Sequence, residues 1–232
     1  MTNDTQGVTA PALWQFCLLQ VWFLLPLMLV LGSVLLLCAV MGEAPDTLFK
    51  TVKDQYPALV ACMRLVSACG NMVFYAVYAW LLARGLSRGQ WQLICLPLAY
   101  LLVQVVITAV LVQGTKVVVG RSRPYAGEQG LYFFSTHSIH HSFPSGHTAE
   151  ITGATAPLAH SLGSPLWCLA LGVFPAVMGF SRLVLREHHM LDVFAGALVG
   201  SFSAWCILVL VPVLMRRLPS FSLFRRLEKF AR

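Results

Sequence analysis

The stretch Trp14–Met41, WQFCLLQVWFLLPLMLVLGSVLLLCAVM, decides the fold, because it runs from end to end without a charged side chain. A helix needs about 20 apolar residues to cross the hydrocarbon core of a bilayer, so this segment predicts a membrane span. The preceding MTNDTQGVTAPAL holds no Lys or Arg, and no small-residue cleavage site follows a short apolar core. The segment therefore reads as a retained anchor and not as a cleaved secretory signal.

The remainder of the chain continues the pattern. Of its 232 residues 58% are hydrophobic and 11% charged, whereas soluble domains carry roughly a quarter charged residues. The same length criterion places six spans, near Trp14 to Met41, Ala58 to Ala83, Trp91 to Gln113, Thr148 to Leu162, Leu166 to Leu185 and Leu191 to Leu214. The fourth is short and contains Pro157. The reading is an all-α polytopic bundle of six transmembrane helices, with residues 1–232 forming one transmembrane domain. No polar segment is long enough for a second core.

Charge sets the expected orientation. Arg84 and Arg88 follow the second span, and six of the sixteen Lys and Arg residues lie after Met215. Positive charge marks the cytoplasmic side and suits anionic lipid, so the basic tail 216–232 and both termini are expected in the cytoplasm. The partner of this charge is the bilayer, with no nucleic acid implied. The segment PSFSLFRRLEKF is a candidate interfacial helix. Seven cysteines, five of them inside apolar runs, argue for buried free thiols over a disulfide framework.

This orientation sends three polar clusters to the outer face. In KVVVGRSRP, Lys116 and Arg123 stand seven apart, about two helical turns. Both cations could extend from the end of span three until Pro124 stops the helix; they also fit cations snorkelling to an interface, as does Arg121. In SFPSGHTAE, Pro144, Ser145, Gly146 and His147 open a helix whose free N–H groups favour an anion, or form a simple capping turn. In SRLVLREHHMLD, His188 and Asp192 are four apart, so a helix starting near His188 would let the carboxylate hold the imidazole. Arg182 joins them only if the chain bends around Arg186 and Glu187. Three cations, a helix N-terminus and two histidines at one membrane face suit phosphoryl transfer from a histidine.

Together, Lys116-x6-Arg123-Pro124, Pro144-Ser145-Gly146-His147 and Ser181-Arg182-x5-His188-x3-Asp192 resemble the three-part signature of the type 2 phosphatidic acid phosphatase (PAP2) superfamily. That superfamily includes membrane lipid phosphatases, bacterial acid phosphatases and vanadium haloperoxidases. The resemblance implies that His188 attacks phosphorus and forms a phosphohistidine, with Asp192 fixing its tautomer. It implies that His147 protonates the leaving oxygen and later activates water. Lys116, Arg123, Arg182, Ser145 and the Gly146 and His147 backbone would hold the phosphoryl oxygens, with no metal and no cofactor.

The implied substrate is a membrane lipid phosphate presented to the outer face of a bacterial inner membrane. Undecaprenyl diphosphate, phosphatidylglycerophosphate, phosphatidic acid and lipid A 1-phosphate all belong to the class. Phosphotransfer between lipids and non-catalytic lipid transport are the alternatives. A zinc site built from His137, His140 and His141 with His188 and His189 competes with the metal-free reading; a His-rich loop touching the headgroup is the other use of these imidazoles. Glu150, three residues past His147, has no place in the motif.

Overall fold

A computed structural model describes residues 10–127 and 130–218. The candidate interfacial helix and most of the basic tail lie outside the described residues. Among the described residues there are eight α-helices: α1 (Leu13–Met41), α2 (Pro45–Gln55), α3 (Pro57–Arg88), α4 (Trp91–Val106), α5 (Gln113–Val119), α6 (Gly146–Ser161), α7 (Pro165–Val184) and α8 (Met190–Arg217). A π-helical stretch, Ile107–Val112, joins α4 to α5 into one continuous rod. No strand occurs among the described residues beyond an isolated bridge between Arg121 and Leu131.

Among the described residues five helical rods are long and apolar enough to cross a membrane: α1, α3, α4 through α5, α7 and α8. They occupy five of the six expected positions, and α6 occupies the other. With 16 residues α6 is about 24 Å long, shorter than the hydrocarbon core of about 30 Å. Its position explains how so short and polar a helix is tolerated. Nearly every side chain from Thr148 to Ala159 is buried, because α7 and α8 pack along it and α3 borders it. The ring of longer helices shields it from lipid.

Boundaries differ from the sequence reading where local signals stop or extend a helix. Span three continues past Gln113 to Val119 and so takes in Lys116. It ends there because Gly120 adopts the left-handed conformation, φ +57°, which glycine reaches without a side-chain penalty. A Cβ at that position would also collide with the Tyr132 carbonyl. Helix α2 lies in the connection between the first two spans. Pro45 at its first position and Asp46 in its first turn are helix-start signals.

All seven cysteines are free, although Cys17, Cys62 and Cys69 face outward and Cys206 is half-buried, so only Cys38, Cys95 and Cys168 are buried. At membrane depth there is no hydrophobic drive to join helices, and small residues allow close packing. On α8, Gly196 and Gly200 stand one turn apart against the first half of α6. A Cβ on Gly200 would lie 2.5 Å from the Ala149 carbonyl oxygen, and one on Gly196 would meet the backbone of Ser145. Polar side chains tie these two helices to their neighbours: Ser203 of α8 donates to Gln104 of α4 at 3.0 Å, and Gln20 of α1 donates to Ser201 of α8 at 2.7 Å while receiving His160 of α6 at 2.9 Å.

The contact of α6 with α8 generates a prediction. Gly200→Val pushes α6 off α8 and destabilises the protein by about 1–3 kcal/mol. Gly32→Ala, on α1 with nothing within 4 Å of an added Cβ, leaves the melting temperature in detergent unchanged. Thermal unfolding of the two variants beside wild type checks the contrast.

Candidate active site

One wholly buried carboxylate gathers the segments of the site. Asp192, in the first turn of α8, accepts from Arg121 Nη1 at 2.6 Å, from Ser142 Oγ at 2.6 Å and from its own helix cap, the His189 N–H, at 2.8 Å. Its backbone carbonyl accepts from the Ser145 N–H at 2.9 Å. The loop after α5, the entry to α6 and the start of α8 thus meet at one residue. Further main-chain bonds brace the loop, with Arg123 N–H to the Ile139 carbonyl at 2.9 Å and Ser142 N–H to the Arg121 carbonyl at 3.0 Å.

The expected pairing of Asp192 with His188 takes a different form. His188 Nδ1 lies 4.0 Å from the carboxylate but 2.6 Å from the Ser142 carbonyl oxygen. The reason is local. Helix α8 begins at Met190, because Asp192 caps it, so His188 precedes the helix and the four-residue spacing does not place the pair on one face. A carbonyl only accepts, so Nδ1 carries the proton and Nε2 presents its lone pair. Asp192 acts on His188 indirectly, by holding Ser142 through the hydroxyl.

The chain turns between Arg182 and His188 at Arg186, which has φ +58°. A non-glycine residue in this region costs about 1–3 kcal/mol and persists only when its surroundings hold it. Here Arg186 Nη2 donates to the Pro124 carbonyl at 2.7 Å, and the Tyr125 N–H donates to the Arg186 carbonyl at 3.2 Å. The turn brings Arg182, Glu187 and His188 to one place. Glu187 pairs with Arg123 Nη1 and lies 3.6 Å from Arg182 Nη2, while Arg182 Nη1 donates to Ser67 on α3.

Lys116 and Arg123 do not share a helix face, since α5 ends at Val119 and Arg123 sits in the following loop. The loop nevertheless returns Arg123 to the cluster. Lys116 Nζ lies 3.4 Å from where a Cβ on Gly146 would stand, at the N-terminus of α6. Ser145 caps that helix, its Oγ receiving the Thr148 N–H at 3.4 Å and meeting Thr148 Oγ1 at 3.0 Å. The Ser145 hydroxyl is therefore occupied inside the helix start, and the first-turn N–H groups of Gly146 and His147 remain for an anion.

Both histidines share one electrostatic environment. Burial first, and then the charges of Arg182, Arg123 and Lys116, hold the His188 imidazole well below its usual pKa, against the opposing bond to Ser142. The same three cations bear on His147. This environment disfavours the imidazolium at His188.

The other histidines have their own partners. His140 Nδ1 meets Ser135 Oγ at 2.8 Å and its ring stacks on Tyr132, and His141 Nε2 reaches the Ser135 carbonyl at 2.9 Å. Among the described residues no three His, Cys, Asp or Glu side chains gather as metal ligands. Glu150 faces α3, receiving Asn71 Nδ2 at 2.5 Å and the Tyr75 hydroxyl. Sequence reasoning took Arg121 for an interfacial cation and missed Ser142, Glu187 and Ser67; each has a partner tens of residues away, Asp192 for Arg121 and Ser142, Arg123 for Glu187 and Arg182 for Ser67. The Gly196-x3-Gly200 spacing was readable as a close-packing signal.

A fold of apolar helices long enough to cross a membrane that carries three cations, a helix N-terminus and two imidazoles at one end defines a membrane protein with a cationic cluster. The sequence pattern of the PAP2 superfamily matches residues 92–216, more than half of the chain, and the chain belongs to that superfamily. An undecaprenyl-diphosphatase of Sulfolobus acidocaldarius is 36% identical over 104 residues, covering 44% of this chain and 49% of the relative. A lipid A 1-phosphatase of Rhizobium johnstonii is 33% identical over 122 residues, covering 51% and 48%, and one of Rhizobium etli is 32% identical over 108 residues, covering 45% and 46%. The chain thus spans about half the length of the curated relatives it matches. No solved structure gave a significant match.

Beside the site, His189 tests the geometry through pH. Its Nε2 meets the Ser122 carbonyl at 3.1 Å and its Nδ1 meets Asp46 on α2 at 3.2 Å. Both partners are acceptors, so only the imidazolium satisfies both. Burial lowers the His189 pKa, but the hydrogen bond and charge of Asp46 outweigh it and raise the value overall; Arg121 opposes and Asp192 assists. The Asp46 pKa is lowered, chiefly by the His189 hydrogen bond, against burial. A raised histidine contributes stability that is complete below its unfolded value, about 6.5, and is lost as pH rises through the folded value. A lowered Asp46 contributes above the usual carboxylate value of about 3.9 and loses it as pH falls further. Amide exchange in α2, corrected for intrinsic rates, is expected to accelerate as pH rises above the ordinary histidine value. His189→Gln should flatten that dependence.

Proposed function

We propose that this protein is an integral-membrane phosphatase that removes a terminal phosphate from a lipid through a phosphohistidine on His188. The observation that carries this reading is the geometry of His188: a buried imidazole whose Nδ1 is held by the Ser142 carbonyl at 2.6 Å, beside the charges of Arg182, Arg123 and Lys116. A binding protein for anionic lipids needs the cations but not an oriented imidazole.

In the first step Nε2 of His188 attacks phosphorus while the bond from phosphorus to the lipid oxygen breaks. The bound phosphoryl group offsets the charge of Arg182, Lys116 and Arg123, so His147 can carry a proton in the complex and give it to that leaving oxygen. In the second step water attacks the phosphohistidine, its proton passes to His147, the N–P bond breaks and orthophosphate leaves. Lys116, Arg123, Arg182 and the Gly146 and His147 N–H groups stabilise charge on the equatorial oxygens, the main demand of phosphoryl transfer. Ser145 serves by capping the helix that presents those N–H groups, and Asp192 serves by holding Ser142 and Arg121.

The substrate class follows from site and setting. Motifs in 116–192 read a phosphate, and the apolar helices hold its carrier in the bilayer. The names of the relatives, undecaprenyl-diphosphatase and lipid A 1-phosphatase, support a terminal phosphate on a lipid. Arg84, Arg88, Arg216 and Arg217 lie at helix ends away from the site, which supports cytoplasmic termini and an outward-facing site in a bacterial inner membrane.

The test is phosphate release by purified protein from a panel of lipid phosphates in EDTA. Wild type is expected to release phosphate, and His188→Ala to release none while keeping its melting temperature. Binding without cleavage would favour a transporter, transfer to a second lipid would favour a phosphotransferase, and zinc-dependent activity would overturn the metal-free scheme. A reporter fused after Arg232 is expected to behave as cytoplasmic.

A further inference from the structure

The anion site is not open to any anion, because it already holds a carboxylate. Glu187 pairs with Arg123 and lies 3.6 Å from Arg182, so it stands between two guanidinium groups assigned above to phosphoryl oxygens. Neither its position nor its hold on the cations is accidental. The left-handed turn at Arg186 and the bond from the Glu187 N–H to the Arg182 carbonyl, 3.0 Å, aim the side chain inward. Its side chain remains 30% exposed, so it has room to swing out. Arg182 Nε is buried and has no hydrogen-bond partner among the described residues. The carboxylate thus leaves one donor of that guanidinium unused.

We propose that Glu187 is a specificity-determining residue, a tethered competitor that occupies the phosphate site and yields it to terminal phosphates but not to phosphodiesters. The inference rests on the phosphatase reading. A site with three cations at a membrane surface is surrounded by phosphodiester headgroups, each with a single negative charge. Unguarded, it would stay filled by them. A tethered carboxylate acts at an effective concentration of millimolar order or above. A diester that displaces it exchanges one single charge for another and gains nothing. A phosphomonoester carries about −1.5 to −2 near neutral pH and three acceptor oxygens, so it displaces the carboxylate with a net gain, using donors that one carboxylate leaves idle. The same exchange in reverse helps orthophosphate leave.

A purely structural role, with Glu187 aligning the two arginines, predicts the opposite sign on neutralisation, so the sign decides. The experiment titrates inorganic phosphate into the detergent-purified full chain, with and without dioctanoyl phosphatidylglycerol, for wild type and Glu187→Gln. The variant is expected to bind orthophosphate about tenfold more tightly, a change of about 1.4 kcal/mol. Phosphatidylglycerol should compete with phosphate in the variant and not in wild type. Should the variant not fold, Glu187→Asp carries the test: its shorter side chain reaches one arginine, and an intermediate tightening is expected. Equal or weaker phosphate binding in the folded variant, or equal competition in both proteins, overturns the inference. Wild type that binds no phosphate and cleaves no lipid phosphate overturns the phosphatase reading with it; wild type that does both, beside an indistinguishable variant, overturns this inference alone.

Discussion

A charge that is completely buried must be paired and hydrogen-bonded, or it is lost by protonation or unfolding. Asp192 meets that requirement with partners from three separate segments: Arg121, Ser142 and the His189 N–H. The demand of one carboxylate therefore dictates where the loop after α5, the entry to α6 and the start of α8 must sit. Satisfied in this way, Asp192 fixes the Ser142 carbonyl, and that carbonyl fixes the tautomer of His188. The helices bring these segments to one end of the bundle. The carboxylate joins them to within hydrogen-bond distance.

Around this knot the cations are arranged so that repulsion is useful. Burial opposes a charged imidazole at His188, and Arg182, Arg123 and Lys116 oppose it further. The cluster would be costly alone, and the structure relieves it with Glu187 and Ser67 at Arg123 and Arg182 and with Asp192 at Arg121. On the other flank, the His189 to Asp46 pair ties α2 to the residue beside His188. The site thus depends on contacts made by neighbours in sequence that have different partners in space.

Much of the fold was legible because a bilayer imposes a length. Five rods satisfy that length, and each lies where an apolar run placed it. Helix α6 was harder to read, since a helix surrounded by protein has no need of lipid-compatible length or composition, and its threonines and glycine pack against α8. The site residues could be named from their spacing, but not their contacts. A four-residue interval suggested that Asp192 holds His188, and the cap at His189 removed the helix on which that inference relied. Arg121 fitted an interfacial cation because its partner lies 71 positions away. The bend required between Arg182 and His188 is present at Arg186, yet nothing in the local sequence revealed that Pro124 and Tyr125 would hold it.

The claim that Asp192 assembles the site has a direct measurement: hydrogen exchange by mass spectrometry on wild type and Asp192→Asn in detergent, followed peptide by peptide. The neutral isostere cannot hold Arg121 by charge, and it replaces an acceptor toward Ser142 with an amide. The account predicts that protection falls together in peptides covering residues 120–127, 137–147 and 186–193, while α1 and α3 keep theirs. Loss confined to the first turn of α8, with the other two segments as protected as in wild type, would contradict it.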